Sequence, residues 1–245
     1  MTVYNDFAYV YDDLIREDIE YDKVCDYIEN IFTMYDKNPS LVCDLACGTG
    51  NITVPMAQRG YDMIGVDVSP EMLDVARSKN SNGKDILYLC QNLKKLDLYG
   101  TCDAFLCMTD GFNYITSIDS LKRIFKKIRT CFIEPDGIFV FDISSVYKLK
   151  NVLGGNTFIY NTDEIFYTWE NSYKEPFCKM ELNFFKKDGE GYLRFEESQI
   201  QRAYTKNQIF NALKEGGFSN VDVYGGYTFE SPEKDENRLT FVALP

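Results

Sequence analysis

The order of apolar and polar positions along the chain predicts alternating helices and strands. Between residues 21 and 35 the apolar side chains recur at helical spacing, which predicts an amphipathic helix that ends before Pro39. Five short apolar runs follow, separated by stretches with helical periodicity. These runs span residues 41–45, 63–68, 86–90, 104–108 and 138–143. Buried strands joined by helices are typical of a parallel sheet, so the pattern predicts an α/β fold.

The alternation of strand-like and helical patterns stops between residues 151 and 204. Strand-like, aromatic-rich segments follow one another there without helices between them, and Asp188-Gly189 is a favourable hairpin turn for two of them. The segments span residues 157–160, 165–171, 179–185 and 192–202. We therefore expect residues 151–204 to form an antiparallel β flap that is inserted after the fifth strand.

Helical periodicity returns after the flap. Thr205 and Gln208 have the spacing of a capping box, which predicts a helix that Gly217 ends. Two further strands are predicted near residues 221–224 and 239–243. Residues 1–150 and 205–245 are therefore expected to form one core, with an N-terminal helical cover.

Composition excludes several classes of protein. The chain has 245 residues, of which 45% are hydrophobic and 26% charged, and no apolar run approaches the roughly 18 residues of a membrane span. Acidic residues lie near Met1 in place of the basic region of a signal peptide, so we expect a soluble, cytoplasmic protein. The eight cysteines lack CxxC spacing and suit a reducing compartment. Because the chain has no histidine, we expect no metal site, and histidine-based catalytic triads are excluded.

The net charge disfavours nucleic acid as a partner. A formal charge of −12 repels a phosphate backbone at long range, whereas nucleic-acid-binding proteins generally present a basic face. A small-molecule partner is therefore favoured.

The segment 41–51 carries the strongest functional signal. An apolar strand runs there into a turn with Gly48 and Gly50, which lets a ligand approach the backbone at the start of a helix. Thr53 stands three positions after Gly50, so the pyrophosphate-binding fingerprint GxGxxG is incomplete. Asp44 precedes the turn and suits a ligand that carries an ammonium and a sulfonium. S-adenosylmethionine is such a ligand.

Asp67 supports the same cofactor. It ends the second predicted strand, 17 residues after Gly50, where a carboxylate can accept hydrogen bonds from both ribose hydroxyls of an adenosine. The alternative is an acid that stabilises the N-terminus of the helix after Ser69. The glycine turn upstream favours the ribose role.

These motifs, in this order, resemble those of class I S-adenosylmethionine-dependent methyltransferases of the small-molecule, amine N-methyltransferase-like type. The resemblance spans Tyr4 to Pro245. It rests on Asp44-Leu-Ala-Cys-Gly48-Thr-Gly50, on Gly65-Val-Asp67-Val-Ser69-Pro-Glu-Met72-Leu, and on Glu134-Pro-Asp-Gly137 before a strand that ends in Asp142. It implies a Rossmann-like, doubly wound, seven-stranded and mostly parallel sheet with a reversed C-terminal hairpin.

The resemblance also implies roles in binding the cofactor. Gly48 and Gly50 would underlie the methionine part, Met72 would pack against adenine, and Asn92 would replace the acid that usually bonds the adenine amino group. Ala46 replaces a glycine of the loop and is tolerable at negative φ. The full expected set is Tyr4, Tyr11, Tyr21, Asp44, Ala46, Gly48, Gly50, Asn51, Asp67, Val68, Met72, Gln91, Asn92, Leu93 and Met108. The three tyrosines are candidates for closing over the sulfonium, and ordinary aromatic packing is the alternative.

The resemblance places the acceptor pocket after the fourth strand. Asp110, Asn113 and Tyr114 are the candidate catalytic residues, since they can orient a polar acceptor; a turn that begins at Asp110 is the alternative. The flap is expected to roof this pocket. Its candidate wall residues are Tyr167, Trp169, Phe184 and Arg194, although most of these aromatics are expected to form the core of the flap itself.

Methyl transfer from a sulfonium requires positioning more than acid–base chemistry. A neutral amine or a carboxylate attacks without a strong base, so the absence of histidine favours these acceptors. A tRNA or protein methyltransferase and a non-catalytic sensor of S-adenosylmethionine remain alternatives, and a nicotinamide-dependent oxidoreductase is the weakest. The protein is expected to be a monomer or a homodimer.

Overall fold

The computed structural model describes Ala8, Asp12 and residues 19–79 and 85–245. The described strands are β1 (Leu41–Leu45), β2 (Asp62–Asp67), β3 (Leu87–Cys90), β4 (Cys102–Cys107), β5 (Ile133–Ser144), β6 (Thr157–Asn161), β7 (Ile165–Lys174), β8 (Phe177–Asp188), β9 (Gly191–Arg202), β10 (Asn220–Gly225) and β11 (Arg238–Leu244). Each strand expected from the apolar pattern is present, with ends that differ by a few residues.

The described helices are α1 (Tyr21–Met34), α2 (Thr53–Gln58), α3 (Pro70–Lys79), α4 (Ile118–Lys127) and α5 (Lys206–Gly216). Short 3₁₀ turns span Leu93–Lys95 and Gly111–Tyr114, and π-helical turns span Ile128–Phe132 and Lys148–Leu153. The capping box at Thr205 is present, and α5 ends at Gly217 in a left-handed conformation. None of the helices in the described ranges is long and apolar enough to cross a membrane.

Seven described strands form one sheet in the order β10-β11-β5-β4-β1-β2-β3. Strands β1 to β5 are parallel, and Asp44 of β1 lies opposite both Gly65 of β2 and Leu106 of β4. The doubly wound α/β prediction is therefore confirmed. Of the C-terminal hairpin, β11 is the reversed strand: it pairs antiparallel with β5 and with β10, so β10 runs in the same direction as the others.

An aromatic cluster supports the carboxyl ends of β4 and β5. The ring of Phe112 is fully buried and packs edge-on against Phe139 and Phe141, with centroids 5.9 and 5.1 Å away. Phe112 belongs to the 3₁₀ turn that directly follows Asp110. Because the cluster is rigid and densely packed, it fixes the position of the loop after β4.

Strands β6 to β9 form a separate antiparallel sheet in chain order, as the flap prediction requires. The π-helical turn before it places Leu149 and Leu153 against Cys178 and Met180 of β8. Inside the sheet, Phe184 stacks on Phe195 with centroids 4.8 Å apart. The flap therefore has its own small core and rests on the segment that follows β5.

Candidate active site

The loop after β1 reverses the chain through several left-handed residues. Gly48 has φ +53° and Gly50 φ +78°, and a Cβ atom on Gly48 would meet no atom within 4 Å. Ala46 has φ +54°, so our expectation of a negative φ is wrong. The chain must turn here beside Gly111, where a Cβ would lie only 2.9 Å from Cβ of Ala46. A non-glycine residue in this conformation costs about 1–3 kcal/mol, which indicates a loop held under strain.

Asp44 lies beneath this loop and is almost completely buried, with 2% of its surface exposed. Its Oδ2 accepts a hydrogen bond of 2.5 Å from the hydroxyl of Thr53. Burial raises the pKa of Asp44 to about 7, and the hydrogen bond from Thr53 offsets part of this effect. Burial destabilises the ionised form of Asp44, so a bound cation would stabilise that form strongly.

Asp67 joins the glycine loop to the start of α3. Its Oδ2 accepts from the backbone N–H of Gly48 and its Oδ1 from that of Ser69, both at 2.9 Å. Burial raises the pKa of Asp67, while these two bonds lower it. Each oxygen retains a lone pair, so the carboxylate can orient the loop and also accept hydrogen bonds from a diol. The neighbouring Val68 is 63% exposed and offers an apolar surface at the same edge.

A cavity of about 320 Å³ that opens to solvent lies between the glycine loop and the end of β4. Its lining consists of Tyr21, Asp44, Ala46, Cys47, Gly48, Thr49, Asn51, Ile52, Met108 and Thr109. Burial raises the pKa of Tyr21 to about 12, so its ring carries a neutral hydroxyl at physiological pH.

The far end of the cavity is formed by a strained turn after β4. Thr109 and Asp110 have φ of +58° and +59°. The buried carboxylate of Asp142, at the end of β5, accepts both backbone N–H groups, at 2.9 and 2.7 Å. Two charge-assisted bonds thus hold two unfavourable backbone conformations, an arrangement that is concentrated at functional sites.

Charges converge at this turn. Arg238 bonds the carboxylate of Asp142 and lies 3.5 Å from Oδ2 of Asp110, and Tyr227 donates to Asp142 at 2.9 Å. Ser144 donates to Oδ2 of Asp110 at 2.6 Å. One guanidinium therefore faces two carboxylates, and the group carries a net negative charge.

Comparisons with known proteins identify the family. Residues 42–137 match a family model described as a methyltransferase domain. The chain is 32% identical over 244 residues to YqeM of Bacillus subtilis (strain 168), a protein named as a methyltransferase, with 98% of this chain and 96% of YqeM covered. It is 38% identical to a crystal structure of an S-adenosylmethionine-dependent methyltransferase from Clostridium acetobutylicum, at a TM-score of 0.90 over 99% of both chains.

The chain is an S-adenosylmethionine-dependent methyltransferase. It is also similar to a carboxy-S-adenosyl-L-methionine synthase from Campylobacter jejuni (strain NCTC 11168), with 26% identity over 97% of this chain and 91% of that protein. Family membership identifies S-adenosylmethionine as the cofactor and favours an enzyme over a sensor.

The residues of the methyltransferase suit this cofactor. The buried Asp44 can compensate a positive charge, Gly48 leaves space above the loop, and Tyr21 supplies an aromatic ring to the same cavity. Tyr21, Asp44, Ala46, Gly48, Asn51 and Met108, all in the expected set, line this one cavity. Tyr4 and Tyr11 lie outside the described residues.

The adenine-binding predictions have mixed support at the ends of β2 and β3. Asn92 uses its Oδ1 to cap the 3₁₀ turn, accepting from Lys94 N–H at 3.0 Å, and one lone pair of that oxygen remains for an adenine amino group. Gln91 instead pairs both ends of its amide with the backbone of Asp97, at 3.0 and 2.9 Å. The side chain of Gln91 therefore stabilises the loop between residues 91 and 97, and this pairing does not support a role in binding the cofactor. The roles of Met72 and Leu93 in binding adenine stay predictions.

Asn113 differs most from its expected role as a ligand of the acceptor. It is fully buried, its Nδ2 donates to the carbonyls of Ser144 and Arg202 at 3.1 and 2.9 Å, and its Oδ1 accepts from Ser144 N–H at 3.0 Å. Asn113 thus ties the flap to the core, and its amide has no hydrogen left to donate. Tyr114 is 43% exposed and its hydroxyl donates to Gln199 at 2.8 Å. Its role in orienting the acceptor stays a prediction.

The expected wall residues of the flap face in different directions. Arg194 pairs with Glu196 on the exposed side of β9 and therefore does not line the acceptor pocket. Tyr167 and Phe184 belong to the core of the flap, and Trp169 packs against the π-helical turn around Leu149.

Two residues of the site, Asp12 and Arg238, were not predicted from the sequence. Asp12 is 7% exposed, accepts from Thr49 and Asn51 of the glycine loop at 2.5 and 3.0 Å, and forms an ion pair of 2.6 Å with Lys79. Arg238 neutralises Asp142 across the sheet. No local sequence pattern predicts either residue, because their partners are 37 to 128 positions away.

Proposed function

We propose that the protein methylates the nitrogen of a small-molecule amine. The observation that carries this proposal is the charge at the end of the cavity, where Asp110 and Asp142 outnumber Arg238. A negative site attracts a protonated amine, which loses one proton to water before its lone pair attacks, and it repels a carboxylate. Arg238 is already paired with both acids, so it is poorly placed to hold an acceptor carboxylate.

The geometry of Asp110 suits the chemistry of an amine. When bound, S-adenosylmethionine supplies a methyl group on a positively charged sulfur. The acceptor nitrogen uses its lone pair to form the new C–N bond, acquires positive charge, and then loses a proton to water. In the proposed reaction Asp110 accepts an N–H of the acceptor and stabilises the charge that develops on nitrogen.

Positioning supports this role. Asp142 holds the turn that presents Asp110, so the carboxylate is fixed before an acceptor arrives. Asp142 and Arg238 act as positioning residues, and water is excluded by Tyr21 and the flap. No histidine or other strong base is needed, since a neutral amine is already nucleophilic.

The test is turnover with two libraries. The purified protein is incubated with S-adenosylmethionine and either small amines or small carboxylic acids, and S-adenosylhomocysteine is quantified by mass spectrometry. We expect release with amines, and we expect Asp110→Asn to lower kcat/KM by about 10²-fold, as for loss of other groups that stabilise developing charge. Turnover with acids alone, or a modified cofactor as in a carboxy-S-adenosylmethionine synthase, would overturn the proposal.

A further inference from the structure

Strand β9 carries a column of polar side chains on the inner face of the flap. Glu197, Gln199 and Gln201 alternate along the strand and are partly or fully buried, whereas the intervening Glu196 and Ser198 are exposed. Alternate residues of a strand share one face. The column therefore faces the same side as the 3₁₀ turn that Tyr114 ends, with which Gln199 forms its hydrogen bond.

Gln201 has an unusual environment at the end of this column. It is only 3% exposed, its Nε2 donates to Oδ1 of Asp110 at 3.4 Å, and its Oε1 has no hydrogen-bond partner among the described residues. A buried amide oxygen is normally paired, and leaving it unpaired destabilises the protein. The unpaired oxygen lies one amide group away from the carboxylate that the proposed function assigns to the acceptor amine.

Two hydrogen-bond acceptors lie close together at this point. They are Oε1 of Gln201 and the carboxylate of Asp110, which already faces Ser144, Arg238 and Nε2 of Gln201. A ligand in contact with them must therefore present several donors. A plain hydrocarbon amine has one donor group and would leave Gln201 unpaired.

We propose that Gln201 determines acceptor specificity by accepting a hydrogen bond from a hydroxyl or second amino group next to the methylated nitrogen. The acceptor is then a vicinal amino alcohol or diamine, because Gln201 contacts the same carboxylate that holds the reacting amine. This inference rests on the proposed amine N-methylation. It adds the requirement that the acceptor carries a second hydrogen-bond donor next to the methylated nitrogen. Asp110 alone does not impose this requirement.

The test compares matched amines. Kinetics are measured for trans-2-aminocyclohexanol, trans-1,2-diaminocyclohexane and cyclohexylamine, alongside further library pairs that differ by one neighbouring donor. The wild-type protein should favour the amine with the donor by at least about tenfold in kcat/KM, since a site built to bond a substrate donor rejects analogues that lack it. Comparison of the amino alcohol with the diamine shows whether the neighbouring donor is a hydroxyl or an amino group.

Variants test whether Gln201 is responsible for the preference for amines with a neighbouring donor. Gln201→Met, of similar size, also removes the hydrogen bond to Asp110. It should therefore lower kcat/KM for every amine, lower it at least about tenfold more for the amines with a neighbouring donor, and leave the affinity for S-adenosylhomocysteine within about twofold. Gln201→Glu keeps an acceptor oxygen and should retain the preference for the diamine. The matched control is Ser198→Met, on the exposed face of the same strand.

The outcomes separate the two proposals. Absence of turnover with every amine would overturn the proposed function itself. Turnover of amines with equal kcat/KM within the wild-type pairs, or a preference that survives in Gln201→Met, would overturn the role of Gln201 alone.

Discussion

At the scale of single residues, left-handed backbone conformations mark the active site. Among the described non-glycine residues, Asp36, Ala46, Thr109 and Asp110 have positive φ. Ala46 and Thr109 line the cavity, Asp110 directly follows Thr109, and Asp142 holds Thr109 and Asp110 in place. Asp36 follows helix α1, is exposed and is distant in sequence from the cavity-lining residues after β1 and β4. Strain therefore has a functional context at three positions and a purely structural one at the fourth.

Replacing Asp36 by glycine should stabilise the protein. The left-handed conformation costs an L-residue about 1–2 kcal/mol, and the greater flexibility of unfolded glycine offsets about half of that gain. We expect a net gain of about 0.5–1 kcal/mol in the free energy of unfolding, measured by urea denaturation. Asp36→Ala is the control, since it removes the carboxylate and keeps Cβ. Equal stabilisation in both variants would show that charge, and not conformation, is responsible.

The pKa of Asp44, raised by burial to about 7, predicts a pH dependence of cofactor binding. The folded protein retains a proton that the unfolded chain releases, so this group's contribution to stability falls as pH rises from about 4 to 7. A cofactor ammonium beside Asp44 would lower that pKa and expel the proton. Affinity for S-adenosylhomocysteine should therefore rise several-fold between about pH 6 and 7.5.

Calorimetry in two buffers of different ionisation enthalpy measures this proton release directly. Asp44→Asn should bind more weakly and lose the pH dependence over the same range. An unchanged slope in the variant would assign the titration to a group other than Asp44.

At the scale of elements, the carboxylate of Asp12 joins the glycine loop to helix α3. Asp12 receives hydrogen bonds from Thr49 and Asn51 and pairs with Lys79, the last residue of α3. Lys79 also donates to Asn51 at 2.7 Å. Because Thr49 and Asn51 line the cavity, the position of Asp12 is coupled to the shape of the cofactor site.

Removing the Asp12 carboxylate should weaken cofactor binding. We expect Asp12→Ala to raise the Kd for S-adenosylhomocysteine by about tenfold, because part of the binding energy must then order the loop; tenfold corresponds to about 1.4 kcal/mol. Asp74→Ala is the matched control, since Asp74 forms an exposed ion pair with Arg77 on the same helix. Similar losses in the two variants would refute a specific coupling through Asp12.

At the scale of the whole molecule, the charge distribution argues for a small acceptor. The chain carries a formal charge of −12, and the acceptor end of its cavity is negative as well. Both features disfavour a polyanionic substrate.

Methylation of RNA should therefore be absent. We expect no incorporation of labelled methyl groups when the protein is incubated with total cell RNA, at low or moderate salt. Incorporation that falls steeply as salt increases would indicate binding through phosphates and would favour the RNA alternative.

The sequence predicts the elements well because their signals are local. Periodicity defines the strands, and the capping box at Thr205 needs only residues three positions apart. The glycine loop and Asp67 are recognisable for the same reason. The roles of amides are harder to predict: Asn113 and Gln91 have the chemistry of ligands, yet their partners are backbone groups that folding alone brings near. Asn113 and Arg202 are 89 positions apart.

The single amide of Asn113 donates to the carbonyls of Ser144, where the chain leaves the main sheet, and of Arg202, where the antiparallel sheet ends. The entry and exit of this segment of the chain are therefore adjacent. A segment whose ends already meet can change in length or sequence with little effect on its host. Evolution can accordingly replace the flap while the part of the chain that binds the methyl donor is inherited intact.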